Sequence, residues 1–108
     1  MKYIFKVTIN EGYSAEQYAD AWVQASKLIQ QAPGASGTEL HRMIGKPDVL
    51  LAIAHWESKV AREAMDEALG ADQRDQIKNI IQSQAPFVTI DFIGEFEEPE
   101  WTVRPGQV

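Results

Sequence analysis

Between Pro33 and Ser58 the chain reads PGASGTELHRMIGKPDVLLAIAHWES, and no other stretch constrains the fold as tightly. It holds a helix stop, a strand over residues 37–44, a turn at Gly45-Lys46-Pro47-Asp48, a second strand over 49–56, and a helix start at Ser58. Proline cannot continue a helix and glycine accepts the left-handed backbone that ends one, so Pro33-Gly34 is a stop. The run Val49-Leu50-Leu51-Ala52-Ile53-Ala54 lacks polar alternation and reads as a strand covered on both faces. A strand–turn–strand unit set between two helical patterns admits few small folds.

The flanks narrow the choice. Residues 2–9 alternate, with Tyr3, Phe5, Val7 and Ile9 on one face and Lys2, Lys6 and Thr8 largely on the other, as a half-buried strand does. Ser14 is placed as an N-cap with Gln17 at the capping-box position. The helix that follows runs to about residue 31 on a stripe of Ala15, Tyr18, Trp22, Ala25, Ile29 and Ala32. Beyond Ser58 a helix is predicted through residue 69, with Val60, Ala61, Ala64, Met65 and Ala68 inward. Gly70 breaks it, and Asp72 caps a continuation to residue 84 that buries Ile77, Ile80 and Ile81. Pro86 opens a last strand over 87–96.

The order β-α-β-β-α-β predicts an α+β, ferredoxin-like domain over residues 1–96: a four-stranded antiparallel sheet with both helices on one face. The last strand also carries Phe87, Val88, Ile90, Phe92, Ile93 and Phe96, too many apolar residues for one covered face. An apolar sheet face left in water is an association site, and a second copy of the chain is its economical cover. A homodimer through the sheet face is therefore expected, with Phe92 among its buried residues. Residues 97–108, acidic and carrying Trp101, form either a tail or an arm on the partner.

Composition removes several functions. Without cysteine there are no disulfides, thiolate metal sites or thiol nucleophiles. A net charge of −6 and a pI near 4.8 oppose nucleic acid and anionic lipid as partners. No apolar run approaches the ~20 residues of a membrane span, and the N-terminus lacks the signal-peptide pattern. The expected location is the cytoplasm.

Three marks give the chain a resemblance: the Pro33-Gly34 stop, the strand Gly37-Thr38-Glu39-Leu40-His41-Arg42, and the Trp56-Glu57-Ser58 step from strand to helix. Over residues 2–96 it resembles the antibiotic biosynthesis monooxygenase-like domains of the dimeric α/β-barrel superfamily. Members of that family include cofactor-free oxygenases of polyketide quinols, quinol monooxygenases, haem-degrading oxygenases and proteins with no assigned reaction; the expectation for this chain is a cofactor-free monooxygenase acting on a small aromatic or quinol, with no cofactor and no metal. Haem-degrading relatives use an Asn in the first strand and a Trp and a His on the second helical segment. Here those places hold residues near Phe5-Lys6, then Met65 and Asp75, so haem is not implied.

The candidate chemistry lies with His41 and His55 on adjacent strands. If Gly45–Asp48 is a four-residue loop, His41 shares a face with Glu39 and Trp56, and His55 lies opposite; an odd loop puts both imidazoles on one face. A neutral His near pH 7 is a candidate general base for a phenol or quinol, against a structural role in the sheet. A His/His/Glu metal triad needs the odd loop, and no helical histidine spacing supports it. Tyr18 and Trp22, one turn apart, suit an aromatic wall for a planar substrate, or else core packing. Trp56 is a packing residue with a minor pocket role, and Arg42 either neutralises an anionic substrate or forms a strand-edge ion pair. The pocket is expected between the first helix and the sheet, floored by Ala52 and Ala54. The alternative function is a non-catalytic dimer that binds a small apolar ligand.

Overall fold

Four strands and a helical layer follow the chain in the predicted order in a computed structural model, which describes residues 1–106. Strand β1 (Lys2–Ile9) leads to helix α1 (Ala15–Ile29), then β2 (Ala35–Met43) and β3 (Lys46–Trp56). Two short helices follow, α2 (Lys59–Glu63) and α3 (Met65–Ala68), then α4 (Ala71–Gln84), a 3-10 turn over Ala85–Phe87, and β4 (Val88–Phe96). The antiparallel sheet has the order β2-β3-β1-β4. This is the ferredoxin-like α+β arrangement. Residues 107–108 of the C-terminal segment lie outside the described residues; before them, Trp101 is exposed and Glu98 pairs with the N-terminal amine at 2.8 Å.

Helix α1 starts where its sequence directs. The Gln17 N–H donates to Ser14 Oγ at 3.2 Å, and the Ser14 N–H donates to Gln17 Oε1 at 2.9 Å, so two otherwise unpaired donors are satisfied. The stop after α1 is a matter of space as well as backbone. Gly34 has φ +85°, and a Cβ there would stand 2.6 Å from the Ala61 Cβ. No other residue type allows α2 to come so close.

The helical segment after β3 departs from its expected form. It breaks at Ala64, and Val60 is 75% exposed, with Ala64 and Ala68 also on the surface. Ala61 and Met65 alone of the predicted stripe turn inward, because five residues of α2 make too short a helix for a full apolar face. Gly70, not Asp72, stands at the N-cap of α4, and its N–H donates to Gln73 Oε1 at 2.8 Å. Ile77 is buried and Ile80 half-buried, but Ile81 is 54% exposed.

Register decides which side chains meet the helices. The β2–β3 turn is two residues, Ile44-Gly45, with Gly45 at φ +87°, and Lys46–Asp48 belong to β3. A register shift between Arg42 and Met43 then pairs Thr38 with Ala54, Leu40 with Ala52 and Arg42 with Leu50. The expected four-residue loop is thus a two-residue turn, and the register shift gives the face assignment that an odd loop was expected to give. Thr38, Leu40 and Arg42 share the helix-covered face, while Glu39 and His41 lie on the far face with Leu51, Ile53 and His55. A second shift, between Ile4 and Phe5, sets Phe92 opposite Phe5 on the helix side. Phe92 is 57% exposed and stacks on Tyr3 with ring centroids 4.9 Å apart, so it is not one of the far-face residues.

Two buried clusters form the core, one around Val7, Tyr18 and Leu50, the other around Trp56, Leu69 and Ile77. Both lie between sheet and helices. The chain measures 18 Å along its shortest axis, which accommodates one helix layer on one sheet. Its radius of gyration, 15.5 Å, exceeds the ~13 Å of a compact domain of this length.

Candidate functional site

The two core clusters do not meet. Between them a cavity of about 490 Å³ separates α1 and α4 from the sheet. Its walls follow from helical and strand periodicity. The repeat of three and four brings Tyr18, Ala21, Trp22 and Ala25 of α1 to one side. The strand alternation of two brings Tyr3, Phe5, Thr38, Ala54 and Trp56 to the other. Ala54 lies between Tyr3 and Thr38 on neighbouring strands, so the floor stays low where a larger side chain would fill the space.

Besides the hydroxyls of Ser26 and Thr38, few polar groups reach this space. Tyr18 is buried, and the loss of water pushes its hydroxyl up to about 12, so at neutral pH it is an uncharged donor. Arg62 of α2 lies with its guanidinium 4.3 Å from the centroid of the Tyr3 ring, within cation–π range. Gln84, in the last turn of α4, keeps its Oε1 buried with no hydrogen-bond partner. No carboxylate and no imidazole is among the lining side chains. The cavity is an apolar slot with donors and one cation, and its size is that of pockets for drug-sized molecules.

Of the residues singled out in the sequence, Tyr18, Trp22 and Trp56 line this cavity. Arg42 does not: its guanidinium pairs with Glu16 at 2.8 Å beside the start of α1, and that contact holds the Glu16 carboxyl below its ordinary value. His41 and His55 stand on the other side of the sheet. There Glu39 joins them, one carboxylate oxygen meeting His55 Nε2 and the other lying 3.4 Å from His41 Nε2. The Glu39 carboxyl is held below its ordinary value, first by the hydrogen bond from His55. The odd register therefore brings two imidazoles and a carboxylate together, but no metal-holding group of three such side chains occurs among the described residues.

Arg62 and Gln84 were not expected in the site. Arg62 directly follows Ala61 on the helix whose inward positions were assigned to apolar residues, and that adjacency is the only signal the sequence carries for it. Gln84 has no periodic signal, since it lies where α4 gives way to the 3-10 turn.

The model of the antibiotic biosynthesis monooxygenase family matches residues 2–79, from β1 into α4. The chain belongs to the antibiotic biosynthesis monooxygenase family. Solved structures carry the likeness further along the chain. SnoaB, a cofactor-independent oxygenase from Streptomyces nogalater, is 14% identical, with a TM-score of 0.64 over 92% of this chain and 96% of that one. An antibiotic biosynthesis monooxygenase candidate from Bordetella bronchiseptica is 21% identical, with a TM-score of 0.59 over 89% and 96%. A protein of unknown function from Bacteroides thetaiotaomicron is 17% identical, with a TM-score of 0.61 over 83% and 88%. At these identities the likeness shows the fold. No curated protein matches the sequence. Within this family member, Arg62 falls inside the segment that the family model covers, whereas Gln84 and the β4 wall of the cavity lie beyond it.

Proposed function

We propose that the protein is a cofactor-independent, monooxygenase-type enzyme that takes a small aromatic or quinol into the cavity between α1, α4 and the sheet. The observation that carries this reading is the slot itself: about 490 Å³, walled by Tyr18, Trp22 and Trp56 and floored by Ala54. In chemistry of this kind the ionised substrate itself reduces O₂. The protein excludes water, holds the ring flat, and directs hydrogen bonds to the oxygen where charge develops. Tyr18, which keeps its proton, and the Trp22 indole N–H are the groups suited to that last task. His41 and His55 lie across the sheet from a substrate in the slot. We therefore assign the base role to neither.

The lack of a carboxylate or imidazole in the cavity favours a second reading, a carrier or sensor that binds such a ligand without turning it over. Oxygen uptake with a panel of quinols and naphthols, measured beside binding of the same compounds, separates the two. Uptake that follows binding supports the enzyme; binding with no uptake supports the carrier. If nothing binds, both fail.

We also propose that a second copy covers the far sheet face. Leu51, Ile53 and Phe96 lie there with no layer of this chain over them, and Phe96 is 48% exposed. A stable monomer in sedimentation at micromolar concentration would exclude this arrangement.

A further inference from the structure

Arg62 is the feature of the cavity that an aromatic slot alone does not explain. Two side-chain cations elsewhere have carboxylate partners: Arg42 is paired with Glu16 at 2.8 Å, and Lys59 lies 3.5 Å from Glu63 and 3.3 Å from Glu95. Arg62 has no carboxylate partner among the described residues, and its visible contact is the face of Tyr3. The same guanidinium lines a mostly apolar cavity. There the low polarity of the walls strengthens any charge–charge contact, and the planar fork of an arginine matches a carboxylate with two parallel hydrogen bonds.

A second group on a different element points to a ligand independently. Gln84 Oε1 is buried and accepts no hydrogen bond, although its residue lines the same cavity. A buried acceptor without a donor is costly, and a ligand hydroxyl would supply one. Arg62 comes from α2 and Gln84 from the end of α4, so the two polar groups reach the cavity from different elements. Tyr3, which carries Arg62, is itself part of the wall.

We infer that the slot is built for a hydroxylated aromatic carboxylate, its carboxylate held by Arg62 and a hydroxyl donating to Gln84 Oε1. This deepens the proposed function and rests on the cavity being a ligand site. A planar acid fits where a neutral hydrocarbon leaves Arg62 uncompensated and Gln84 unsatisfied.

Three probes separate the contributions: 6-hydroxy-2-naphthoate, 2-naphthol and 2-naphthoate, each titrated by calorimetry into the full-length protein. The wild type should bind the hydroxynaphthoate at least about tenfold more tightly than 2-naphthol, with a preference that shrinks as salt rises. Arg62→Gln should remove that preference and leave 2-naphthol affinity within about twofold. Arg62→Lys, which keeps the charge, should retain part of it. Gln84→Leu should weaken both hydroxylated probes severalfold and leave 2-naphthoate unchanged. Equal wild-type binding of hydroxynaphthoate and naphthol, or a preference that survives Arg62→Gln, would overturn the assignment while the cavity stands. Binding of none of the three would remove the cavity reading and this inference with it.

Discussion

The two faces of the sheet are built from alternate residues of the same strands, yet they do different work. On the helix side, β3 presents Leu50, Ala52, Ala54 and Trp56, and each has a helix above it or an aromatic beside it. On the far side the same strand presents Leu51, Ile53 and His55, half-buried, with no helix of the described residues over them. The covered side is unevenly filled: tight around Val7 and Leu50, open around Ala54. The bare side is even, apolar at its centre, with the Glu39, His41 and His55 cluster towards the β2 edge. Burial within the chain therefore marks where the fold is held, whereas incomplete filling marks where the proposed ligand would sit.

The sharpest way to break this comparison is to cut adjacent leucines. Leu50→Ala should cost about 3 kcal/mol of subunit stability, as a large-to-small change in a close-packed core does. Leu51→Ala should cost under about 1 kcal/mol in a dilute, isolated subunit and act mainly on association. Chemical denaturation for the first and sedimentation for the second read these apart. Equal losses would mean that the far face is as well covered as the near one.

A smaller effect sharpens the account of the open region. Ala54→Leu should grow into the slot, lower the affinity for 2-naphthol by at least about tenfold, and leave the melting temperature equal or raised, because it fills a cavity. A lower melting temperature with unchanged binding would place the ligand elsewhere.

Alkaline titration tests the burial of Tyr18. Its hydroxyl has an ordinary value of 10.0 and is pushed to about 12 in the fold, so the unfolded chain loses its proton first. The stability linked to Tyr18 is fully present below about pH 10 and is lost as the pH rises towards 12. Thermal melts across that range should show the loss in the wild type and a smaller one in Tyr18→Phe. Identical profiles would mean that the hydroxyl is open to water.

The smallest change is expected on the far face. Glu39 is exposed and its carboxyl is held below its ordinary value, so the stability from its histidine contacts is present at neutral pH and fades as the pH falls through that lowered value. Glu39→Gln should leave the melting of the chain at neutral pH nearly unchanged, since exposed ion pairs contribute little. A large loss in melting experiments would show that the His41, Glu39 and His55 cluster lies buried against a partner.

Much of this molecule was legible without coordinates, and the legible parts share one property. Capping at Ser14 and Ser58, the Pro33-Gly34 stop, the two-residue alternation of β1 and the stripe of α1 are set by contacts within a few residues. Local chemistry is enough to place them. The inward placement of Tyr18 and Trp22 follows from the period of α1 alone. What the sequence did not determine turns on register and on packing at a distance. The register shift between Arg42 and Met43 moved Glu39 and His41 to the far face beside His55, because the side-chain period of a strand is two and a single slip exchanges its sides. The shift between Ile4 and Phe5 moved Phe92 in the same way. Arg62 and Gln84 entered the site only because a short helix broke at Ala64 and a long one ended at Gln84, each leaving a polar side chain against a space that no apolar residue filled. Elements were determined by neighbours in sequence; the site was decided by which faces the tertiary structure brought together and where it left them apart.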